Sequence, residues 1–181
     1  MTGRAMVMVC CCMAVAGCSQ IGGLLNGGDE DVAGLPRADL VDTDGASVGT
    51  VTFEQTPNGM LVRADVHDLP RGTHGFHIHA VGKCERPGFE SAGGHFNPFN
   101  RRHGVRNSQG AHVGDLPNIT VESDGTGRAE TVAAQATLAE GAARLFDDDG
   151  SAVVIHERAD DYESDPSGNA GARIACGVIR R

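Results

Sequence analysis

Ser47-Val48-Gly49-Thr50-Val51-Thr52-Phe53-Glu54-Gln55, followed by Pro57-Asn58-Gly59 and then Met60-Leu61-Val62-Arg63-Ala64-Asp65-Val66, reads as two strands joined by a turn. Valine, threonine and phenylalanine suit a pleated backbone, and Pro-Asn-Gly supplies the residues a tight turn needs. Similar short runs lie at Ala38–Val41, Gly75–His79, Asn118–Glu122, Ala129–Thr137, Ala152–His156 and Ala172–Val178, with turn signals at Asp124-Gly125 and Asp149-Gly150. No segment sustains a 3.6-residue period, although the alanines of Thr131–Leu138 leave that stretch ambiguous. The expected fold is all-β: eight short strands in a Greek-key barrel or sandwich. The composition agrees, with 26 glycines, 4% aromatic residues and no tryptophan.

Two stretches stand outside the strand pattern, Val81–Gly114 and Glu157–Gly171. Loops of this length inside one domain usually carry function. Seven of the eight histidines fall between positions 67 and 112, so the first loop and the strand before it are the place to look for chemistry. The net charge is −9 and the only lysine is Lys83, which argues against a phosphate-binding face and hence against nucleic acid as a partner.

The first residues read as a targeting segment. Arg4 precedes an apolar run of 12 residues, Ala5–Ala16, which is too short for a transmembrane helix and suits a cleaved export signal. Val15-Ala16-Gly17-Cys18 resembles a bacterial lipobox, which implies cleavage before Cys18 and lipidation of its thiol; an ordinary signal cut near Gly17 is the alternative. Loss of residues 1–17 removes Arg4 and no acid, leaving 14 basic against 24 acidic residues, a charge of −10. Residues 18–36, rich in glycine and acid, read as a flexible tether, and 37–181 as the folded domain. Of the cysteines beyond the signal, Cys18 is assigned to lipid. Cys84 and Cys176 remain, and in an oxidising compartment they read as one disulfide.

His77-Ile78-His79 places two imidazoles on one face of a strand, able to converge on one ion. Such a pair is common without a ligand, and His156, at the end of Val153-Val154-Ile155, taken singly reads as a core histidine. His95, His103, His112 and Asp115 form a stronger signal, because three nitrogens and one carboxylate oxygen on one Gly-rich loop make a closed tetrahedral set suited to zinc.

Taken together, Gly75-Phe76-His77-Ile78-His79, Gly93-Gly94-His95-Phe96-Asn97-Pro98, His112-Val113-Gly114-Asp115-Leu116, His156-Glu157-Arg158-Ala159-Asp160-Asp161 and Gly168-Asn169-Ala170-Gly171-Ala172-Arg173 resemble the copper,zinc superoxide dismutase family, in the family's order. The resemblance spans roughly Val41 to Ile179. It implies one copper per subunit on His77, His79, His95 and His156, and one zinc on His95, His103, His112 and Asp115, with His95 shared. It further implies that Asp160 orients ligand histidines of both sites, that Cys84 and Cys176 pair, and that Arg173 stands at the copper entrance to attract the substrate anion. His67 and His74 are left for structural or surface roles.

The expected activity is disproportionation of superoxide to O2 and H2O2 outside the cytoplasm. The alternative is a copper- and zinc-binding lipoprotein of the same fold without turnover. Such relatives occur as monomers and as dimers, so a homodimer is open. The second loop is acidic, with Glu157, Asp160, Asp161, Glu163 and Asp165 against Arg158 and Arg173. Strong electrostatic guidance of the anion is therefore not expected, unless Lys83, Arg101, Arg102 or Arg106 compensates.

Overall fold

The computed structural model describes residues 1–3 and 34–181; the expected export signal from residue 4 on, Cys18 and the expected tether as far as residue 33 lie outside the described residues. Among the described residues nine antiparallel strands make up one sheet: β1 (Arg37–Asp42), β2 (Ser47–Thr56), β3 (Gly59–Val66), β4 (Gly72–His74), β5 (Phe76–His79), β6 (Ile119–Val121), β7 (Gly127–Ala133), β8 (Ala152–His156) and β9 (Arg173–Val178). A single 3₁₀ turn, Glu90–Ala92, is the only helical element among the described residues.

The order across the sheet is β4-β6-β7-β3-β2-β1-β9-β8-β5. Its two outermost strands, β4 and β5, are separated in sequence only by Gly75. Both rims of the sheet thus belong to one continuous piece of chain, and the sheet curls into a nearly closed barrel.

The β2–β3 pair follows the alternation rule. Val51 and Phe53 on β2 and Met60, Val62, Ala64 and Val66 on β3 are buried inside the barrel, and Val48 joins them at a bulge opposite Leu40 and Val41. Outward side chains pair across β3 and β7: Arg63 with Glu130 at 2.9 Å, and Arg128 with Asp65 at 2.9 Å. Strands β5 and β8 differ, because every residue on both is buried. Phe76, Ile78, Val153 and Ile155 fill the barrel core. On the opposite face Val154 and Ala152 pack with Phe89, Ala92 and Cys176 in a second apolar cluster, and His77, His79 and His156 stand there with them. This outer face is covered by the two long loops.

All eight expected strands are present, with shifted ends, and β4 is the addition. Gly72-Thr73-His74 has no apolar residue to signal a strand and is ordered by pairing with Val121, Thr120 and Ile119. β7 stops at Ala133 rather than Thr137, because Ala133 lies opposite Met60, at the start of β3, and nothing remains to pair with. Thr137 instead closes a loop, donating its N–H to Ala143 O and accepting from Leu145 N–H.

Candidate metal centre

The first loop lies along the free side of β5. Ile78 N–H donates to Gly114 O at 2.9 Å, Phe96 N–H to Ile78 O at 2.8 Å and Ala80 N–H to Gly94 O at 2.9 Å. A Cβ on Gly114 would sit 2.2 Å from the Ile78 carbonyl oxygen, so only glycine permits this approach. These bonds carry His95 and Asp115 alongside His79 and His77. From the other side, a register shift in β8 sets His156 opposite Arg173 of β9.

Two groups result, each with donor atoms within 4.8 Å of one another: His77, His79, His95 and His156 in one, and His95, His103, His112 and Asp115 in the other. His95 belongs to both. In the first group, four buried ring nitrogens have no partner in the protein: His77 Nδ1, His79 Nε2, His95 Nε2 and His156 Nε2. The far nitrogens of three of these rings meet acceptors. His77 Nε2 donates to Asp160 Oδ2 at 2.8 Å, His79 Nδ1 to Gly93 O at 2.9 Å and His156 Nδ1 to Gly171 O at 3.1 Å. A carbonyl or carboxylate oxygen can only accept, so each far nitrogen carries the proton and each near one presents a lone pair. Four inward lone pairs in a buried site are costly unless something binds them, and imidazole nitrogens suit copper.

In the second group Asp115 Oδ1 lies 2.8 Å from His95 Nδ1, 3.1 Å from His103 Nδ1 and 3.2 Å from His112 Nδ1. Four ligands at about 2.0–2.1 Å from a tetrahedral zinc stand about 3.3 Å apart, close to this spacing. The other carboxylate oxygen is held by two peptide N–H groups, Gly104 at 2.8 Å and His112 at 3.0 Å. His103 Nε2 donates to Asp160 Oδ1 at 2.9 Å and His112 Nε2 to Arg101 O at 3.1 Å. Asp160 thus joins a histidine of each group, one per oxygen, which is the outer support metal sites use to orient their ligands.

The titration behaviour follows the packing. Burial pushes His77 down to about 3, with His95 and His156 adding to it and Asp160 opposing. Burial likewise lowers His156 to about 4, and lowers His79 and His95. At neutral pH these nitrogens are free to ligate. For His103 burial acts downward, but Asp115 and Asp160 outweigh it and raise the ring to about 9. Burial alone would raise the Asp115 carboxyl, yet His103, His112 and His95 hold it well below the carboxylate range. The protein alone therefore carries a proton within the second group where a cation would sit.

A cavity of about 500 Å³ opens onto the first group; His79, His95, His156 and Arg173 line it, as do Asn97, Arg101 and Asp165. Arg173 is half-buried, and its guanidinium donates to Phe89 O and to Gly93 O. Gly93 O also accepts from His79, so one carbonyl fixes both a ring and the cation beside it. The disulfide Cys84–Cys176 ties the segment carrying these carbonyls to β9. Lys83, Arg102 and Arg106 do not line the cavity; Arg101 does.

Residues 47–179 match the protein family described as copper/zinc superoxide dismutase. The chain belongs to this family. A superoxide dismutase [Cu-Zn] of Aquifex aeolicus is 46% identical over 146 residues, which cover 80% of this chain and 86% of that protein. A crystal structure of a SOD-like protein from Bacillus subtilis superposes with a TM-score of 0.77 at 43% identity, covering 80% of this chain and 97% of that one. The Cu/Zn superoxide dismutase from Brucella abortus gives a TM-score of 0.63 at 29% identity, with 80% and 98% covered. The chain has a histidine-rich centre on an antiparallel barrel.

The structure brings His77, His79, His95, His156, His103, His112 and Asp115 together, with Asp160 bonded to His77 and His103 and Arg173 on the cavity wall. Of the two histidines left over, His67 is exposed beside Asp68. His74 is buried, its nitrogens 2.8 Å from His156 O and 2.8 Å from Pro70 O. It braces the strand end that carries His156, a role that its lack of any motif concealed. The carbonyls of Phe89 and Gly93 were equally invisible, since a backbone oxygen leaves no sequence signal.

Proposed function

We propose that the protein catalyses disproportionation of superoxide, with copper on His77, His79, His95 and His156, zinc on His95, His103, His112 and Asp115, and His95 shared between them. The observation that carries this reading is the set of four unpartnered buried nitrogens, three of whose rings, His79, His95 and His156, line a solvent-open cavity together with Arg173. Bound copper supplies the one-electron chemistry by which one superoxide gives O2 and a second, with two protons, gives H2O2.

The remaining work belongs to the chain. Arg173, always charged and pinned by two carbonyls, attracts the anion and orients it by hydrogen bonding without having to move. His95 presents Nε2 to the copper ligands and Nδ1 to Asp115 and its companions. Nε2 is the atom at which a proton can be held or released at the reacting position. Asp160 keeps His77 and His103 in their tautomers.

The test is superoxide consumption by the copper- and zinc-loaded domain that follows Cys18. Catalytic turnover is expected, and a fully loaded protein that is inert would leave a metal-binding protein of the same fold. Arg101 is one further cation at the cavity and Asp165 opposes it, so kcat/KM should fall only modestly with ionic strength. A steep fall would contradict that part.

We also propose export and attachment to the cell envelope through a lipid on Cys18, on the strength of Val15-Ala16-Gly17-Cys18. Cys18→Ser should move the protein from the membrane fraction to the soluble one; unchanged sedimentation with membranes would refute the anchor.

A further inference from the structure

We infer that Asn118 is a positioning residue for both metal groups, acting through Asp160 with Tyr162 as its brace. Asn118 follows Asp115 by three residues and immediately precedes β6, so its backbone is fixed by the barrel. Its side chain closes a two-bond clamp on the Asp160 peptide unit. Asn118 Nδ2 donates to Asp160 O at 2.9 Å, and Asp160 N–H donates to Asn118 Oδ1 at 2.9 Å. The two bonds need opposite ends of one amide, which fixes its orientation and excludes every other side chain of that length.

A third bond locks the brace. Asn118 N–H donates to Tyr162 Oη at 2.9 Å, while Tyr162 N–H donates to Asp160 Oδ1 at 2.6 Å. The Arg106 guanidinium lies 5.5 Å from the Tyr162 ring, and Arg106 N–H donates to Tyr162 O at 3.0 Å, so the first loop is tied to the same point. Above the carboxylate, a Cβ on Gly168 would lie 1.9 Å from Asp160 Oδ1, and the glycine has φ +64, so backbone alone covers it there.

The consequence is geometric. Asp160 lies on a loop, yet it has to present one oxygen to His77 and the other to His103. Loop segments rarely hold a side chain that closely unless a rigid element supports them. Asn118 transfers the position of β6 to Asp160, and through it to one ligand on each side. The inference rests on the metal-binding reading and names a residue that touches neither metal group itself.

The test is a double-mutant cycle on zinc affinity, measured by competition with a chromogenic chelator. Asn118→Ala should weaken zinc about tenfold, the lower end of what loss of an outer support costs. In an Asp160→Ala background the same substitution should change affinity less than about twofold, since the group it positions is gone. Asn118→Asp and Tyr162→Phe are gentler variants that each remove one bond of the brace, and they should show the same non-additivity with smaller losses even if Asn118→Ala folds poorly. Wild-type affinity in all three variants, or an equal loss with and without Asp160, would overturn the inference while leaving the metal sites standing. Failure of the wild-type chain to retain zinc would overturn both.

Discussion

His95→Ala should lower superoxide turnover of the metal-loaded protein by about a hundredfold or more, with loss of zinc in the same variant. Removing an outer support of a metal ligand costs about 10–100-fold in affinity or activity, and loss of a ligand itself should cost at least the upper figure. His95 is a special case because its two nitrogens face two different donor groups. The alanine leaves His77, His79 and His156 on one side, and His103, His112 and Asp115 on the other. It also leaves the reacting position without the atom that can hold a proton there. The exposed His67, replaced by alanine in parallel, controls for the loss of any histidine. Near-wild-type turnover in His95→Ala would mean that the chemistry does not run through this centre.

The Cys84→Ser/Cys176→Ser variant should melt about 10–20 °C lower. The disulfide closes a loop across a sequence separation of 92 residues. In the chain-entropy treatment this corresponds to about 4–5 kcal/mol, and about 2–4 °C per kcal/mol applies to a domain of this size. Activity should fall as well. Cys84 anchors the segment that ends in Phe89 and Gly93, whose carbonyls hold Arg173 and His79. Freed from β9, that segment no longer holds the cation against the cavity wall. A melting point within about 2 °C of wild type would show that the covered apolar cluster of Phe89, Ala92 and Val154 holds the loop without the bridge.

The barrel was legible wherever local chemistry and pairing agree. Gly49 to Glu54 and Gly59 to Val66 alternate cleanly because one face is core and the other water. β4 was not legible, since Thr73 and His74 become strand only through β6. The end of β7 depended on where its partner runs out. At the centre, the histidine spacing and the order of the motifs were enough to name the ligands expected for each metal. Their orientation was not readable. The oxygens of Gly93, Gly171 and Arg101 that set the ring tautomers arrive from distant turns and carry no side chain to recognise. Asn118 escaped for a related reason: its work is done on a peptide unit 42 positions later.

An open rim on a β-sheet offers a row of unmade hydrogen bonds to any neighbouring molecule. Here both rims are halves of the segment that passes through Gly75, and what the β5 half would expose is already used. Gly75 N–H donates to Arg158 O, His156 N–H to Gly75 O, and Ile78 bonds to the first loop through both its N–H and its C=O. The loop that seals β5 is the one that carries His95, His103, His112 and Asp115. Intermolecular strand addition along β5 therefore has no template until that loop lifts.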